Sequence, residues 1–146
     1  MSSAPRFVFL LQRAQKAVQH WVENRPGAWE GVSLAQAGLL FYLRAKPAAT
    51  IGEIADALQV APAAVTNLSK RMQGAGLIER LADQDDARLT RLRLSAAGVQ
   101  AGVQADGALR DLNAHLKGGF TEAELAVVAR WLAQAGQLGE VSRPPR

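Results

Sequence analysis

The feature that most restricts the fold of this 146-residue chain is a pair of short amphipathic helix patterns followed directly by a hairpin pattern, within residues 50–94. The first helix begins at the capping box Thr50-x-x-Glu53. Its inward stripe consists of Ile51, Ile54, Ala55 and Leu58. The second helix, over 62–73, begins with a proline, which suits the first helical position. Two short helices joined by about three residues are typical of a helix-turn-helix.

A β-hairpin is predicted immediately after the second helix. Gly74 and Gly76 end that helix, and Leu77–Ala82 and Leu89–Leu94 then have the composition of strands. The polar stretch Asp83–Arg88 between them indicates a turn. A hairpin that follows a helix-turn-helix in this way makes it a winged helix.

Longer helices are predicted on both sides of this core. One spans about residues 5–24, and a second, over 34–45, begins at the capping box Ser33-x-x-Gln36. A long helix extends from Ser95 to Lys117, and Thr121-x-x-Glu124 opens the last one. The predicted fold class is mainly α (α+β), a winged helix-turn-helix core flanked by N- and C-terminal helices.

The predicted domain organisation is a single domain over 1–146. Its core covers 33–98, and the segments 5–32 and 99–138 hold the flanking dimerisation helices. Residues 139–146 are expected to form a disordered tail.

Composition removes several function classes. The chain has no cysteine, which excludes disulfides, thiolate zinc sites, iron–sulfur clusters and a cysteine nucleophile. His20 and His115 are far apart in sequence, and the turn aspartates lack the spacing of an ion-binding loop. We therefore predict no enzyme, no metal and no cofactor. No apolar run approaches a membrane span, so a cytoplasmic protein without membrane contact is expected. The net charge of +4 permits an anionic partner.

The outer face of the second helix has the chemistry of a major-groove reader. If Val65, Leu68 and Met72 are buried, the other face carries Ala63, Ala64, Thr66, Asn67, Ser69, Lys70 and Arg71. The alanines allow close approach and contact with a thymine methyl, and the asparagine can pair bidentately with adenine. Threonine and serine can reach bases or phosphates, and the two basic residues suit phosphates. An ordinary solvated helix face is the alternative.

At this point the sequence resembles the MarR family of winged-helix transcriptional regulators. Four motifs of that family have similar residues in this chain between Ser33 and Gly98. They are Ser33–Gln36, Ile54–Ala55 with Thr66 and Gly76–Arg80, the wing segment Asp83–Arg88, and Leu94–Gly98. The resemblance implies a winged helix that binds double-stranded DNA.

The resemblance also implies roles for two wing residues. The wing arginine of the family enters the minor groove and the preceding aspartate steadies the turn, and Arg88 and Asp86 occupy those positions. A long, permanently charged side chain at a hairpin tip suits the negative potential of a narrow groove. The alternative is a surface ion pair of little consequence. Arg91 and Arg93 are predicted to form a solvated strand face with incidental phosphate contact.

The sequence departs from the family pattern in the wing and at the start of the second helix. Gln84 replaces a proline, Ala87 replaces a frequent basic residue, and Asp85 adds an acid. Ala61–Pro62 stands where a serine-type cap is more usual. Fewer positive charges in the wing imply weaker phosphate contact and greater dependence on the helix.

The expected partners are operator DNA, a second copy of the chain and an effector. A homodimer on a pseudo-palindrome is expected because one helix reads few base pairs. The surplus apolar surface of Phe7–Trp21 and Leu125–Leu138 would form the dimer interface. The resemblance implies a small aromatic or anionic effector near His20, Trp21 and Trp29, although packing alone also explains these residues. The predicted function is that of a transcriptional regulator that represses its target genes. The alternative is a winged-helix protein-interaction module without specific DNA binding.

Overall fold

The structure, a computed structural model, describes residues 5–25 and 32–138. The six helices of these ranges are α1 (Phe7–Glu23), α2 (Leu34–Ala45), α3 (Ile51–Leu58), α4 (Pro62–Gly74), α5 (Ala96–Lys117) and α6 (Glu122–Gly136). The strands are β1 (Ala49–Thr50), β2 (Ile78–Ala82) and β3 (Thr90–Leu94). This arrangement confirms the predicted fold class. Trp29 and the predicted tail 139–146 lie outside the described residues.

The helix starts follow local hydrogen bonding that the sequence predicts. The side chains of Ser33, Thr50 and Thr121 each accept a hydrogen bond from the backbone N–H three residues later, and the residue there bonds back to the cap. Ser95 acts similarly, since its Oγ accepts the Gly98 N–H at 3.0 Å. Each cap satisfies backbone donors that a helix start leaves unpaired, which is worth about 1 kcal/mol.

The hydrophobic core lies between α2, α3, α4 and the sheet. Its fully buried large side chains include Leu39, Leu40, Leu43, Ile54, Val65, Met72 and Leu92. The predicted inward stripes of α3 and α4 are buried or packed against this core, Ile51 and Leu58 being partly buried. Each such aliphatic side chain contributes roughly 1.5–3 kcal/mol by leaving water. The core therefore fixes the angle at which α4 is presented.

The sheet has three antiparallel strands in the order β1-β3-β2. The predicted hairpin is present, with Arg80 opposite Leu92. Strand β1, in which Ala49 pairs with Leu92 and Thr50 pairs with Arg91, was not predicted from the sequence. A two-residue strand has no alternation to detect. Since β1 runs directly into α3, the pairing ties the wing to the helix-turn-helix.

The chain divides into two compact units, Met1–Ala108 and Leu109–Arg146. The first holds α1 to α4, the sheet and the first part of α5, and the second holds the end of α5 and α6. None of the helices within the described residues is long and apolar enough to span a membrane.

Candidate nucleic-acid interface

Helix α4 exposes most of the side chains predicted for groove reading. Ala63, Ala64, Asn67, Lys70 and Arg71 are exposed, and Thr66 is half-buried. The opposite face, with Val65, Leu68 and Met72, is buried as predicted. The exposed side chains thus offer two small contacts, one amide and two cations along three turns of helix.

Ser69 corrects the prediction for this face, because its side chain is completely buried. Its Oγ donates a hydrogen bond to the Thr66 carbonyl at 2.8 Å and accepts one from Arg80 Nη1 at 3.4 Å. Ser69 lies four residues after Val65 and three before Met72, so helical geometry places it within the buried stripe. A hydroxyl can be buried there because the backbone of its own helix satisfies it. Ser69 therefore belongs to the core-facing side of α4 and not to its exposed face.

The start of α4 is built for close approach. Pro62 occupies the first turn, and the N-cap Ala61 makes no side-chain cap hydrogen bond. The following Ala63 and Ala64 project only methyl groups. Nothing bulky on these residues would keep the helix start away from a base edge.

The wing tip holds an exposed but oriented arginine. Arg88 Nε and Nη2 donate to the two carboxylate oxygens of Asp86 at 3.0 and 3.1 Å, and the Arg88 backbone N–H donates to Asp86 Oδ1 at 3.1 Å. The Arg88 side chain is 89% exposed and that of Asp86 34%. The Arg88 guanidinium lowers the pKa of Asp86, and the carboxylate raises the pKa of Arg88. Both groups are therefore charged at neutral pH.

Asp83 organises the wing turn, a role that was not predicted from the sequence. Its Oδ2 accepts the backbone N–H groups of Asp85 and Asp86 at 3.1 and 2.9 Å. Its Oδ1 accepts a short hydrogen bond from Arg91 Nε. The hydrogen bond from Arg91 and, after it, the backbone bonds lower the pKa of Asp83. They do so although the side chain is only 9% exposed and burial acts in the opposite direction. An aspartate two residues before a backbone N–H at a turn is the local signal that could have revealed it.

The two strand arginines differ from the predicted solvated face. Arg91 is half-buried, and besides Asp83 it donates from Nη1 to the Ala48 carbonyl at 2.8 Å. The prediction of a solvated side chain is wrong for Arg91, because both ends of its guanidinium are engaged. Arg93 is exposed as predicted and pairs with Glu79 at 2.5 Å.

Comparison with known proteins finds a family match over the segment that contains α4 and the wing turn. Residues 32–90 match the model of the MarR family. The family resemblance noted from the sequence is thereby confirmed, and the matched segment contains α2, α3, α4, β2 and the wing turn. No curated protein matches the sequence.

The fold of this chain is shared with several solved regulators. The PcaV transcriptional regulator of Streptomyces coelicolor, bound to its natural ligand, is 18% identical with a TM-score of 0.83, covering 95% of this chain and 99% of its own. S. aureus MepR in its DNA complex is 20% identical, TM-score 0.83, with coverages of 90% and 96%. Bordetella bronchiseptica BpsR, whose DNA binding is regulated by 6-hydroxynicotinic acid, is 19% identical, TM-score 0.75, with coverages of 90% and 99%. The likeness extends over the terminal helices as well as the family segment.

Proposed function

We propose that this chain is a sequence-specific DNA-binding transcriptional regulator that acts as a homodimer. Helix α4 enters the major groove of each half-site, and the wing arginine Arg88 enters the adjacent minor groove. The observation that carries the proposal is the state of Arg88, which is 89% exposed and yet held by two hydrogen bonds to Asp86. A cation oriented before its partner arrives binds with a smaller loss of side-chain entropy.

The base-reading residues of the proposal lie on the exposed face of α4. Asn67 pairs with an adenine, and Ala63 and Ala64 contact thymine methyls. Thr66, Lys70 and Arg71 contact bases or phosphates. Of the residues predicted for DNA contact, Asp86 serves to orient Arg88, and Ser69 is withdrawn since it is buried.

The dimer of the proposal uses the apolar faces of α1 and α6. Val8, Phe9 and Leu10 are exposed on α1, and Val127, Val128 and Leu132 are exposed on α6. A monomeric protein rarely leaves such apolar surface in water, so a second copy covers it. Two-fold symmetry then places the half-sites about one DNA turn, roughly 10 bp, apart.

Repression that a small molecule relieves completes the proposal. PcaV binds its natural ligand, and 6-hydroxynicotinic acid regulates DNA binding by BpsR. In this chain Trp21 lies beneath the guanidinium of Arg25, 4.7 Å from the ring centroid, with His20 beside it in sequence. An aromatic ring next to a cation suits an aromatic or anionic effector. The absence of cysteine favours such a ligand over thiol oxidation as the switch.

Selection of bound sequences from a random DNA pool tests the proposal. We expect a two-fold symmetric motif, and an affinity that falls on the order of a thousandfold between about 50 and about 200 mM salt. Arg88→Ala should weaken binding roughly tenfold without changing the dimer. Lys117→Ala removes the same charge outside the winged helix and is the control.

The same experiment separates the second candidate, a winged-helix protein-interaction module. A module of that kind would select no motif, and neither Arg88→Ala nor Asn67→Ala would alter its weak binding to DNA. That outcome would overturn the proposed function. The geometry favours DNA, because the exposed side chains of α4 are small, amide or cationic and none is a large apolar anchor.

A further inference from the structure

The turn of the wing is tied to the turn that precedes α3 through a single side chain, Arg91. Its Nε donates to Asp83 in the wing, and its Nη1 donates to the Ala48 carbonyl at 2.8 Å. Ala48 is 43 residues away in sequence. One guanidinium therefore joins the turn before β1 to the turn after β2.

The backbone of Ala48 has a restricted conformation. Its φ is +60°, a left-handed conformation that a residue with a β-carbon adopts only when its surroundings hold it. The next residue, Ala49, is buried and pairs with Leu92, and Thr50 caps α3. A hydrogen bond to this carbonyl therefore connects the wing to the start of the helix-turn-helix.

The other end of the bridge controls the wing tip. Asp83 Oδ2 accepts the backbone N–H of Asp86 at 2.9 Å, and the carboxylate of Asp86 holds the Arg88 guanidinium. A continuous series of hydrogen bonds therefore leads from Ala48 through Arg91, Asp83 and Asp86 to Arg88. If Arg91 is lost, the Asp83 carboxylate loses its bond to the guanidinium, and the wing turn loses its side-chain link to Ala48.

We propose that Arg91 is a positioning residue, which fixes the wing so that Arg88 meets the minor groove while α4 occupies the major groove. This inference rests on the proposed function. Two of the five N–H groups of Arg91 are held by Asp83 and the Ala48 carbonyl, and its proposed contribution is made through Arg88 rather than by contact with a phosphate. Arginine is required because its planar fork serves two acceptors at once, whereas a lysine ammonium is a point charge on a flexible stem.

Arg91→Lys separates positioning from phosphate contact, since it keeps the charge and removes the fork. With the duplex that the wild-type protein selects, we expect binding to fall roughly tenfold. Arg93→Lys, the same exchange two residues along β3 at an exposed position, should change binding less than about twofold. Wild-type affinity in Arg91→Lys would overturn the proposal, because charge alone would then suffice.

A double-mutant cycle provides the second measurement. If Arg91 acts through Arg88, Arg88→Ala should cost much less in the Arg91→Lys background than in the wild-type protein. Losses that simply multiply would overturn the proposal, since they would mean two independent contacts with DNA.

Backbone hydrogen exchange tests the same inference without DNA. The amides of Asp85 and Asp86 donate to Asp83, and in Arg91→Lys we expect them to exchange roughly tenfold faster while the Leu92 amide in the central strand is unchanged. Unchanged exchange at both turn amides would overturn the positioning role. Because this readout is independent of DNA, it also distinguishes failure of this inference from failure of the proposed function.

Discussion

Gly98, in the first turn of α5, lies directly against the backbone carbonyl of Leu77 at the start of the wing. A β-carbon added to Gly98 would be 1.9 Å from the Leu77 oxygen. Ser95 strengthens the same junction, since its N–H donates to that oxygen at 3.0 Å and its Oγ donates to the Gly76 carbonyl at 2.5 Å. The glycine therefore permits the close approach of α5 to the turn that leads into β2.

We predict that Gly98→Ala destabilises the fold strongly. A methyl group cannot be accommodated without moving backbone, so we expect a loss of about 3 kcal/mol or more in the free energy of unfolding. Gly107→Ala is the matched control, because a β-carbon there meets nothing within 4 Å and alanine favours a helix by about 0.5–1 kcal/mol. Urea denaturation compares the two, and equal stability of both variants would refute the packing argument.

The base-reading role of Asn67 predicts a change of specificity as well as affinity. In Asn67→Ala we expect binding to the selected duplex to weaken by about 1–3 kcal/mol, and the preference for one adenine in each half-site to disappear. Gln73→Ala removes an amide from the exposed end of the same helix and should leave that preference intact. Competition between duplexes substituted at single positions measures both effects. A uniform loss over all sequences would assign Asn67 to phosphate contact instead.

The extra acid of the wing predicts a variant that binds DNA more tightly. Asp85 is exposed, and within the described residues its carboxylate accepts no hydrogen bond, so it contributes mainly repulsion toward phosphates. Asp85→Asn should raise affinity roughly threefold at low salt, with a smaller gain at high salt where charges are screened. Glu122→Gln makes the same change of charge in α6 and should have no effect. Titration at two ionic strengths checks the prediction, which a weaker complex would contradict.

The lowered pKa of Asp83 predicts how stability depends on pH. A carboxyl whose pKa is lower in the folded chain than its ordinary value of 3.8 stabilises the fold above that value, and the contribution disappears as the pH falls through the folded pKa. At neutral pH, Asp83→Asn should therefore melt at a lower temperature than the wild-type protein. The difference should shrink progressively below pH 3.8.

Thermal melts of both proteins across the acid range measure this effect. Asp85→Asn is the control, because Arg91 donates its hydrogen bond to Asp83 and not to Asp85. A difference between wild type and Asp83→Asn that stays constant with pH would exclude ionisation of Asp83 as its cause.

The apolar face of α6 predicts an effect on oligomeric state. Val127 is 53% exposed, and a lysine there would place a charge within the proposed dimer interface. We expect Val127→Lys to raise the dimer dissociation constant about 100-fold and to weaken DNA binding in parallel. Val60→Lys makes the same exchange at an exposed valine before α4, and it should remain dimeric. Sedimentation at micromolar concentration decides, and an unaffected Val127→Lys dimer would remove α6 from the interface.

The parts of the site that the sequence predicted depend on residues close together in the chain. The caps at Ser33, Thr50 and Thr121 are interactions over three residues, and Asp86 with Arg88 spans two. The buried stripes of α3 and α4 follow from the helical period alone. Ser69 was wrongly predicted to be exposed because serine is a polar residue, although its position in the helical period lies in the buried stripe.

The sequence by itself determined the order of the helices and of the two hairpin strands, the capped helix starts, the core faces of α3 and α4 and the presence of an arginine at the wing tip. Only the tertiary structure showed that the wing turn is joined to the turn before β1, because Arg91 meets Ala48 across 43 residues and β1 exists through its pairing with β3. The same holds for Gly98, whose need for glycine arises from a carbonyl 21 positions earlier, at Leu77. Local hydrogen bonds and periodicity are encoded at short range, whereas contacts between distant segments require the packed chain to bring them together.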